Sequence, residues 1–313
     1  MTASLVARVS RDLGLPESVV VRISNSAAKR YKRFRIPKRG STEFRAVAQP
    51  AREVKAVQRS IVRALKGSIP VHPAATAYET GSSILKNALA HRHAKYLLKL
   101  DFSSFFPSIG EADVDAHLRK HIDDPDVEES IRFVTRACLW RDTPAHQPGL
   151  CIGAPSSPFL ANSIMFGFDE FALSQLGEIG AVYTRYSDDI TVSAVEEHVV
   201  GRAEDMLRDI ARTIEYPRLS FNDAKRVSVG RGCAFRVTGL TLTNDGAVSV
   251  GRSRKRGVRA GMDRFRAGLL SDEESVRLRG ELSFVLSVEP EYEAVLRRVY
   301  GDGAFFRLAR FSI

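Results

Sequence analysis

The clearest pattern in the chain is a pair of β-prone runs on either side of two adjacent aspartates. Residues 183–193 read YTRYSDDITVS, in which β-branched and aromatic residues alternate with polar ones. Alternation with a period of two is typical of half-buried strands, and Ser and Asp favour the turn between them. The run therefore predicts a β-hairpin with Asp188 and Asp189 at its tip. Such a turn either is simply solvated or presents carboxylates to a divalent metal ion.

The remaining pattern predicts a mixture of helices and short strands. Between residues 51 and 66, apolar residues recur at helical spacing, at Val54, Val57, Ile61 and Leu65. YLLKLDF (96–102) is a continuous apolar strand, and the stretch 153–172 is a Gly/Pro turn followed by a long apolar helix. Further helices are predicted at 1–30, 82–93, 111–140, 196–215 and 252–300, and further strands at 44–50 and within 226–250. The densely basic stretch 29–40 is expected to end in a turn.

The charge balance suggests what the protein binds. The 313 residues include 47 Lys and Arg against 37 Asp and Glu, which gives a net charge of +10. A polyanion is the first partner to consider for such a basic protein, although the charge is also compatible with a protein that has no such ligand. At 44% hydrophobic residues, the chain can bury a sizeable core and form two or three subdomains.

The sequence predicts a soluble, cytoplasmic protein without a membrane segment. No apolar run approaches the roughly 20 residues of a membrane span, and charges interrupt the N-terminal LVARVSRDLG. The three cysteines (Cys138, Cys151 and Cys233) are far apart and form no CxxC, so neither zinc nor a disulfide framework is implied.

A third carboxylate interrupts the apolar strand of YLLKLDF. Burying the charge of Asp101 in such a strand costs free energy unless the carboxylate is exposed at the strand end or paired. One interpretation is an N-cap for the following helix. The other is that the strand end and the Asp-Asp hairpin bring three carboxylates together. Such a set can hold two Mg²⁺ ions about 3.5–4 Å apart for in-line phosphoryl transfer.

Three motifs then resemble those of a known family. LKLDFSSFFPSI, GAPSSPFLANSI and YSDD occur in the order and spacing of the palm motifs of reverse transcriptases. NALAH (87–91) and VTG (237–239) are similar to two signatures of bacterial retron reverse transcriptases. The resemblance extends from about residue 29 to 300. It implies an α+β right-hand polymerase, with an N-terminal helical segment (1–28), fingers (29–100), a palm of antiparallel sheet with inserted finger helices (101–250) and a helical thumb (251–313).

The resemblance also assigns catalytic residues. Asp101, Asp188 and Asp189 match the carboxylate triad that holds two Mg²⁺ ions, for which Mn²⁺ is a substitute, and the backbone carbonyl of Phe102 completes a metal site. Lys225, in FNDAK (221–225), matches a lysine that protonates the leaving pyrophosphate. The simpler interpretation of Lys225 is a surface lysine.

A further set matches the binding site for the incoming dNTP. Phe106 lies five residues after Asp101, where the family has an aromatic steric gate against the ribose 2′-hydroxyl. Lys38 and Arg45 match two basic finger residues that hold the triphosphate. The alternatives are plain core packing for Phe106 and a solvated basic loop for Lys38 and Arg45.

The turn at Gly153 and Pro155 resembles the segment that approaches the template–nucleotide pair. A tight Gly/Pro backbone allows such an approach, although an ordinary turn before a helix would have the same composition. The wider family often has glutamine before this glycine, whereas this chain has Ile152, which removes a polar contact to the nucleotide.

The C-terminal part contains the candidate RNA-binding residues. GRSRKRGVRAGMDRFR (251–266) places basic residues on one face of a predicted helix, at Arg252, Lys255, Arg256, Arg259 and Arg266. This face either binds RNA or is simply solvated. His91 and Thr238, in the two retron signatures, are the other candidates, although His91 also suits a structural role.

Taken together, the resemblance implies an RNA-directed DNA polymerase of the retron type. A structured non-coding RNA of the msr–msd type would be the template, and priming from an RNA 2′-hydroxyl with dNTPs would yield a branched RNA–DNA. The resemblance also implies a role in anti-phage defence with a separate effector protein. The alternatives are another defence reverse transcriptase of the abortive-infection type, a group II intron-like enzyme and a non-catalytic RNA-binding scaffold.

Overall fold

The computed structural model describes residues 3–37, 44–141, 147–230, 232–233 and 235–311, and it describes residues 45 and 46 by their backbone alone. The chain divides into two units. The first combines Met1–Ser82 with Tyr96–Ser228, and the second combines Ser83–Lys95 with Val229–Ile313. These units do not follow the boundaries expected for fingers, palm and thumb, and that subdivision stays a prediction. No helix within the described ranges is long and apolar enough to span a membrane.

The elements alternate between helices and short strands along the chain. The helices are α1 (Leu5–Leu13), α2 (Glu17–Ser26), α3 (Arg52–Leu65), α4 (Ile84–Ala90), α5 (Phe105–Ser108), α6 (Glu111–His121), α7 (Val127–Cys138), α8 (Ser157–Ile164), α9 (Phe166–Glu178), α10 (Glu197–Thr213), α11 (Arg252–Arg266), α12 (Asp272–Val288), α13 (Tyr292–Tyr300) and α14 (Asp302–Ala309). The strands are β1 (Tyr31–Pro37), β2 (Phe44–Pro50), β3 (Tyr96–Asp101), β4 (Leu139–Trp140), β5 (Gly149–Leu150), β6 (Val182–Tyr186), β7 (Asp189–Ala194), β8 (Val227–Gly230), β9 (Phe235–Val237), β10 (Leu240–Leu242) and β11 (Val248–Ser249).

A four-stranded sheet with the order β6-β7-β3-β8 forms the centre of the first unit. Both β6 and β3 pair with β7 in antiparallel orientation. Leu98, Leu100, Ile190 and Val192 from β3 and β7 are at most 2% exposed, because helices α9 and α10 pack against the sheet. The predicted hairpin and the predicted apolar strand are thus confirmed as adjacent parts of one sheet.

Helical periodicity correctly located the helix that follows the first hairpin. The four residues of α3 that recur at helical spacing are at most 1% exposed, and α1 and α2 pack beside this helix. The basic stretch contains a strand that the pattern did not predict, since β1 pairs with β2 over its whole length. Most of β1 is exposed, so its Lys and Arg side chains reach water while the backbone completes the ladder.

The second unit joins the two retron-like signatures. Its three-stranded antiparallel sheet has the order β11-β10-β9, and α4, which contains most of NALAH, packs against these strands. The hydroxyl of Thr238 donates to the backbone carbonyl of Ile84 at 3.1 Å. The helices α11 to α14 complete this unit.

Candidate active site

The β6–β7 hairpin and the end of β3 bring the three predicted carboxylates together. Ser187 and Asp188 form the turn, and Asp189 begins β7, where it stands directly opposite Asp101 in the strand register. The backbone N–H of Phe102 donates to the carbonyl of Asp188 at 3.3 Å, which ties the turn to the strand beside it. A shift of this register by one residue would exchange the two faces of β3, and Asp101 would no longer stand opposite Asp189.

These carboxylates line one open pocket with a volume of about 490 Å³, together with Lys99, Leu100 and Lys225. The ammonium group of Lys225 lies 2.8 Å from Oδ2 of Asp101, so this carboxylate forms an ion pair rather than the helix cap that the sequence also allowed. Lys225 belongs to a short 3₁₀ turn, Asp223–Lys225, and half of its side chain is exposed. The pairing places Lys225 at the candidate site, as the sequence predicted.

Like charges concentrate at this pocket. Burial raises the pKa of Asp189, the carboxylates of Asp188 and Asp101 raise it further, and the ammonium groups of Lys99 and Lys225 oppose the rise. A bound cation would relieve both causes of this shift, because it neutralises the repulsion and replaces lost hydration.

The donor set fits Mg²⁺. This ion prefers oxygen ligands, binds through one or two carboxylates, and keeps water and substrate phosphates in the rest of its shell. Within the described ranges, no group of three or more His, Cys, Asp or Glu residues is arranged to hold a metal ion by itself. Asp101, Asp188 and Asp189 are the residues of this pocket whose carboxylates could take part in such a shell.

A second pocket contains three of the residues predicted to bind dNTP. Phe106, Gly153 and Pro155 line a cavity of about 310 Å³. Its other lining residues are Lys55, Arg59, Tyr78, Cys151, Ile152, Ala154, Ser157 and Pro158. Tyr78, which lines this cavity, also contacts the β6–β7 turn, because its hydroxyl lies 3.3 Å from the Ser187 hydroxyl.

The backbone at Gly153 has a conformation that few other residues adopt. Its φ of +107° lies in the region that favours glycine. The preceding residue, Ile152, accepts a hydrogen bond at 3.1 Å from the backbone N–H of Ala48 on β2. A Cβ added at Gly153 would lie 2.8 Å from the carbonyl oxygen of Ala48, so the glycine allows β2 to approach the pocket wall.

The two predicted triphosphate ligands lie at the edge of what the structure describes. Lys38 is outside the described residues. Arg45 belongs to β2, where its backbone pairs with Ile36, and its side chain is not described. Their assignment stays a prediction.

Sequence reasoning missed several residues of these pockets. Lys99 lies two residues before Asp101 on one strand, and the period of two places both side chains on the same face. Lys55 and Arg59 are one helical turn apart on α3, a spacing that could have identified a basic face. No local signal identified Tyr78, because it lies in a loop and reaches Ser187 only through the tertiary fold.

The two signature residues of the second unit have structural contacts. His91 is 1% exposed, and burial lowers its pKa to about 4. This buried placement suits the structural role that the sequence also allowed, and contact of His91 with RNA stays a prediction. The hydroxyl of Thr238 donates to α4, as described above, and its role as an RNA ligand stays a prediction.

The basic face of α11 is narrower than predicted. Lys255 pairs with Glu289 and lies 5.2 Å from the ring centroid of Tyr292, and Arg266 lies over Tyr300. Arg252, Arg256 and Arg259 are exposed, and no carboxylate in the described part of the chain forms an ion pair with them. The helix is anchored by Val258 and Met262, which are buried.

Comparison with known proteins agrees with this geometry. The family described as "Reverse transcriptase (RNA-dependent DNA polymerase)" matches residues 36–242. The chain is 36% identical to the retron Ec83 reverse transcriptase of Escherichia coli over 295 residues, which is 93% of this chain and 94% of that protein. It is 32% identical to the retron Ec86 reverse transcriptase of the same organism, over 87% of this chain and 83% of that protein.

A solved structure shows the same fold at much lower identity. The telomerase of Candida albicans, solved in complex with a fragment of telomeric RNA, superposes with a TM-score of 0.51 at 12% identity. The match covers 92% of this chain and 58% of the telomerase chain. The shared architecture is that of a right-hand polymerase. By sequence and fold, the chain belongs to the reverse transcriptase family as a retron-type RNA-directed DNA polymerase.

Proposed function

We propose that this polymerase copies a dedicated structured RNA into DNA by metal-assisted nucleotidyl transfer, primed from a 2′-hydroxyl within that RNA. The observation that carries the proposal is the meeting of Asp101, Asp188 and Asp189 at one pocket beside a second pocket that contains Phe106. The product would be a branched RNA–DNA, as implied by the resemblance to retron enzymes.

Asp101, Asp188 and Asp189 are the proposed ligands of two Mg²⁺ ions, with the backbone carbonyl of Phe102 as a further ligand and Mn²⁺ as a substitute. Bound there, the ions would supply positive charge to the phosphate groups in an in-line displacement. A metal ion held by Asp101 would share this carboxylate with Lys225, whose ammonium group contacts Oδ2.

Lys225 is the proposed donor of a proton to the leaving pyrophosphate. The ion pair holds its ammonium group at the pocket, 2.8 Å from Asp101, and half of the side chain remains exposed. From this position the exposed ammonium group would reach a polyphosphate bound in the same pocket. Proton transfer by a positioned side chain of this kind contributes typically about 10²–10⁴-fold to a rate.

The pocket around Phe106 is the proposed site for the sugar and phosphates of the incoming dNTP. The ring of Phe106 would crowd a 2′-hydroxyl, and Gly153 and Pro155 form the wall beside it. Lys55 and Arg59 add two positive charges to the same wall, where they would neutralise phosphates of the nucleotide or of the template strand. Lys38 and Arg45 remain proposed ligands of the triphosphate.

Binding of the cognate RNA is proposed to involve the exposed face of α11. Arg252, Arg256 and Arg259 supply charge without an internal carboxylate partner among the described residues, which favours contact with a polyanion. A-form RNA is read mostly through its backbone and shape, for which arginines on a helix are suited.

The proposal is tested with the variant Asp188→Asn and a matched control, Asp205→Asn, which removes an exposed charge from α10. Asp188→Asn should lose primer extension in Mg²⁺ while its melting temperature stays close to that of the wild type. Asp205→Asn should behave as the wild type. Extension by Asp188→Asn at the wild-type rate would contradict the site.

The retron-type part of the proposal is tested on the nucleic acid that copurifies with the protein. The wild type should carry one RNA species joined to DNA through a bond that a 2′,5′-debranching enzyme cleaves, and Asp188→Asn should carry the RNA alone. A protein-linked or untemplated DNA would instead indicate the abortive-infection type. The proposed defence role predicts that cells producing the wild type resist phage and that cells producing Asp188→Asn do not, in the presence of the proposed effector protein.

A further inference from the structure

One arginine contacts the β6–β7 hairpin from its buried side. Arg185 lies on β6, and its side chain is 0% exposed. Its guanidinium donates to both carboxylate oxygens of Asp169 on α9, at 2.8 and 2.6 Å, and Asp169 is equally buried. A bidentate contact of this kind fixes the guanidinium plane as well as its position.

The same guanidinium reaches the turn itself. Nη1 of Arg185 donates to the backbone carbonyl of Ser187 at 2.9 Å and to Oδ1 of Asn162 at 3.1 Å. Ser187 has a φ of +61°, in the left-handed region that residues with a Cβ seldom adopt. Such a conformation persists only when surrounding contacts hold it, and the bond from Arg185 is one of those contacts.

The backbone of Arg185 is fixed as firmly as its side chain. Its N–H donates to the carbonyl of Ala74 at 2.9 Å, and its own carbonyl accepts bonds from the backbone N–H and the hydroxyl of Thr76 at 2.8 and 3.0 Å. Arg185 therefore connects three parts of the first unit to the residue that precedes Asp188. Stability alone does not require this pair, because well-packed apolar residues often replace a buried ion pair without a loss of stability.

We propose that Arg185 is a positioning residue for the polymerase reaction. By holding the Ser187 carbonyl, it keeps the turn in the conformation that presents Asp188 and Asp189 to the metal ions, and Asp169 orients the guanidinium for this task. The inference rests on the proposed assignment of Asp188 and Asp189 as metal ligands. Without the hydrogen bond from Arg185, the carboxylates would be present but displaced.

The central test compares Arg185→Lys with Tyr183→Phe. Lysine keeps a positive charge near Asp169, but one ammonium group cannot replace the planar contact with Asp169 and Ser187 together. Tyr183→Phe removes a 2.7 Å hydrogen bond to the same Asp169 carboxylate and leaves the turn untouched. It therefore disturbs the same buried cluster but keeps the contact that is proposed to position the turn.

Three quantities are measured. They are the affinity for Mn²⁺, monitored by electron paramagnetic resonance, the Mg²⁺ concentration that gives half-maximal primer extension, and the melting temperature. Arg185→Lys should weaken Mn²⁺ binding and raise the Mg²⁺ requirement by roughly 10–100-fold, the usual effect of removing a group that orients a metal ligand. Tyr183→Phe should lower the melting temperature without changing either metal readout.

A rescue variant separates positioning from stability. Glycine adopts a left-handed φ without strain, so Ser187→Gly added to Arg185→Lys should restore part of the Mn²⁺ affinity. If Arg185→Lys does not fold, the triple variant Arg185→Met, Asp169→Leu and Tyr183→Phe replaces the buried polar groups with apolar ones. It should fold and still show the reduced metal affinity.

Wild-type Mn²⁺ affinity in Arg185→Lys, or in the triple variant, would overturn the proposal. Equal reductions in Arg185→Lys and Tyr183→Phe, without rescue by Ser187→Gly, would also overturn it, since they would indicate general destabilisation. Asp188→Asn separates the metal site from the positioning role. If Asp188→Asn binds Mn²⁺ and extends primers normally, the metal site itself is wrongly assigned. If Asp188→Asn is inactive but Arg185→Lys binds Mn²⁺ normally, only the positioning role fails.

Discussion

Replacing Gly153 with alanine should damage both stability and nucleotide binding, because the glycine brings β2 close to the nucleotide pocket. The new methyl group would lie 2.8 Å from the carbonyl oxygen of Ala48 and 3.2 Å from Cγ1 of Val47. A backbone carbonyl oxygen cannot rotate away as the end of a side chain can, so the β1–β2 hairpin must shift. The φ of +107° is itself strained for alanine, at a cost of about 1–3 kcal/mol.

A loss of about 2 kcal/mol in the first unit corresponds to a decrease in melting temperature of roughly 4–8 °C. A displaced pocket wall should also lower kcat/KM for dNTP by roughly 10–100-fold, since small misplacements in a positioned site have effects of this size. Single-nucleotide incorporation at varied dNTP concentration measures the second effect. Thermal melting of the same preparation measures the first.

The matched control is Gly201→Ala on α10, where an added Cβ meets nothing within 4 Å. Because alanine favours a helix more than glycine does, Gly201→Ala should gain up to about 1 kcal/mol of stability. Its kcat/KM for dNTP should stay that of the wild type. An unchanged melting temperature together with an unchanged kcat/KM in Gly153→Ala would show that the close approach of β2 has neither consequence. A lower melting temperature with unchanged kinetics would show that this approach serves the fold alone.

Three further predictions follow from the placement of single side chains. Phe106→Ala should relax discrimination against ribonucleotides by roughly 10–100-fold, the scale of steric selection in a pocket, as measured by competition between dNTP and rNTP. Arg256→Ala combined with Arg259→Ala should weaken RNA binding and reduce the log–log salt slope by nearly 1 unit for each RNA phosphate that the variant no longer neutralises. Burial lowers the pKa of His91 to about 4 and of His117 to about 3, so both are neutral in the folded state. Their contribution to stability is complete above the unfolded value of about 6.5 and should be lost as pH falls from there toward 4 and 3, which melts at several pH values measure.

Each of these predictions has a control within the chain. Arg254 and Arg264 lie on the same helix as the proposed RNA contacts but pair with Glu281 and Glu274. Their double alanine variant should therefore affect RNA binding less, and an equal effect would argue against a specific face. An unchanged rNTP ratio would leave Phe106 as core packing. For the pH dependence, His117→Gln should reduce the fall in melting temperature at acidic pH. An unchanged fall would exclude His117 as its cause.

Short-range patterns identified the parts of the site that are contiguous in the chain. The alternation around Ser-Asp-Asp predicted the hairpin because strand pairing, turn chemistry and burial all operate within eleven residues there. The helical spacing of apolar residues that predicted α3 is likewise contained within that one segment of the chain. The strand β1 was missed because its dense basic charge obscured the strand-favouring Tyr31, Phe34 and Ile36, and the strand forms by pairing with β2.

Some predicted residues changed their meaning once packing was known. His91 and Thr238 looked like RNA ligands because they are polar residues in short signatures. In the structure His91 is buried and Thr238 is bonded to the backbone of Ile84, contacts that the sequence did not predict, and their contact with RNA stays a prediction. Lys255 was predicted to belong to a basic face, but its partner Glu289 is 34 residues away and could not be inferred from helical spacing.

The chemistry of this protein could be predicted from its amino-acid sequence: three carboxylates, the turn that presents two of them, and the motifs that make it a reverse transcriptase. How these groups meet depends on the folded chain. Asp101 stands opposite Asp189 because β3 pairs with β7 in that register, and Lys225 reaches Asp101 across 124 residues. Arg185 contacts Ser187 only because α9 supplies Asp169 in the core. Local propensity acts over a few residues, whereas these contacts depend on long-range packing that no local pattern encodes.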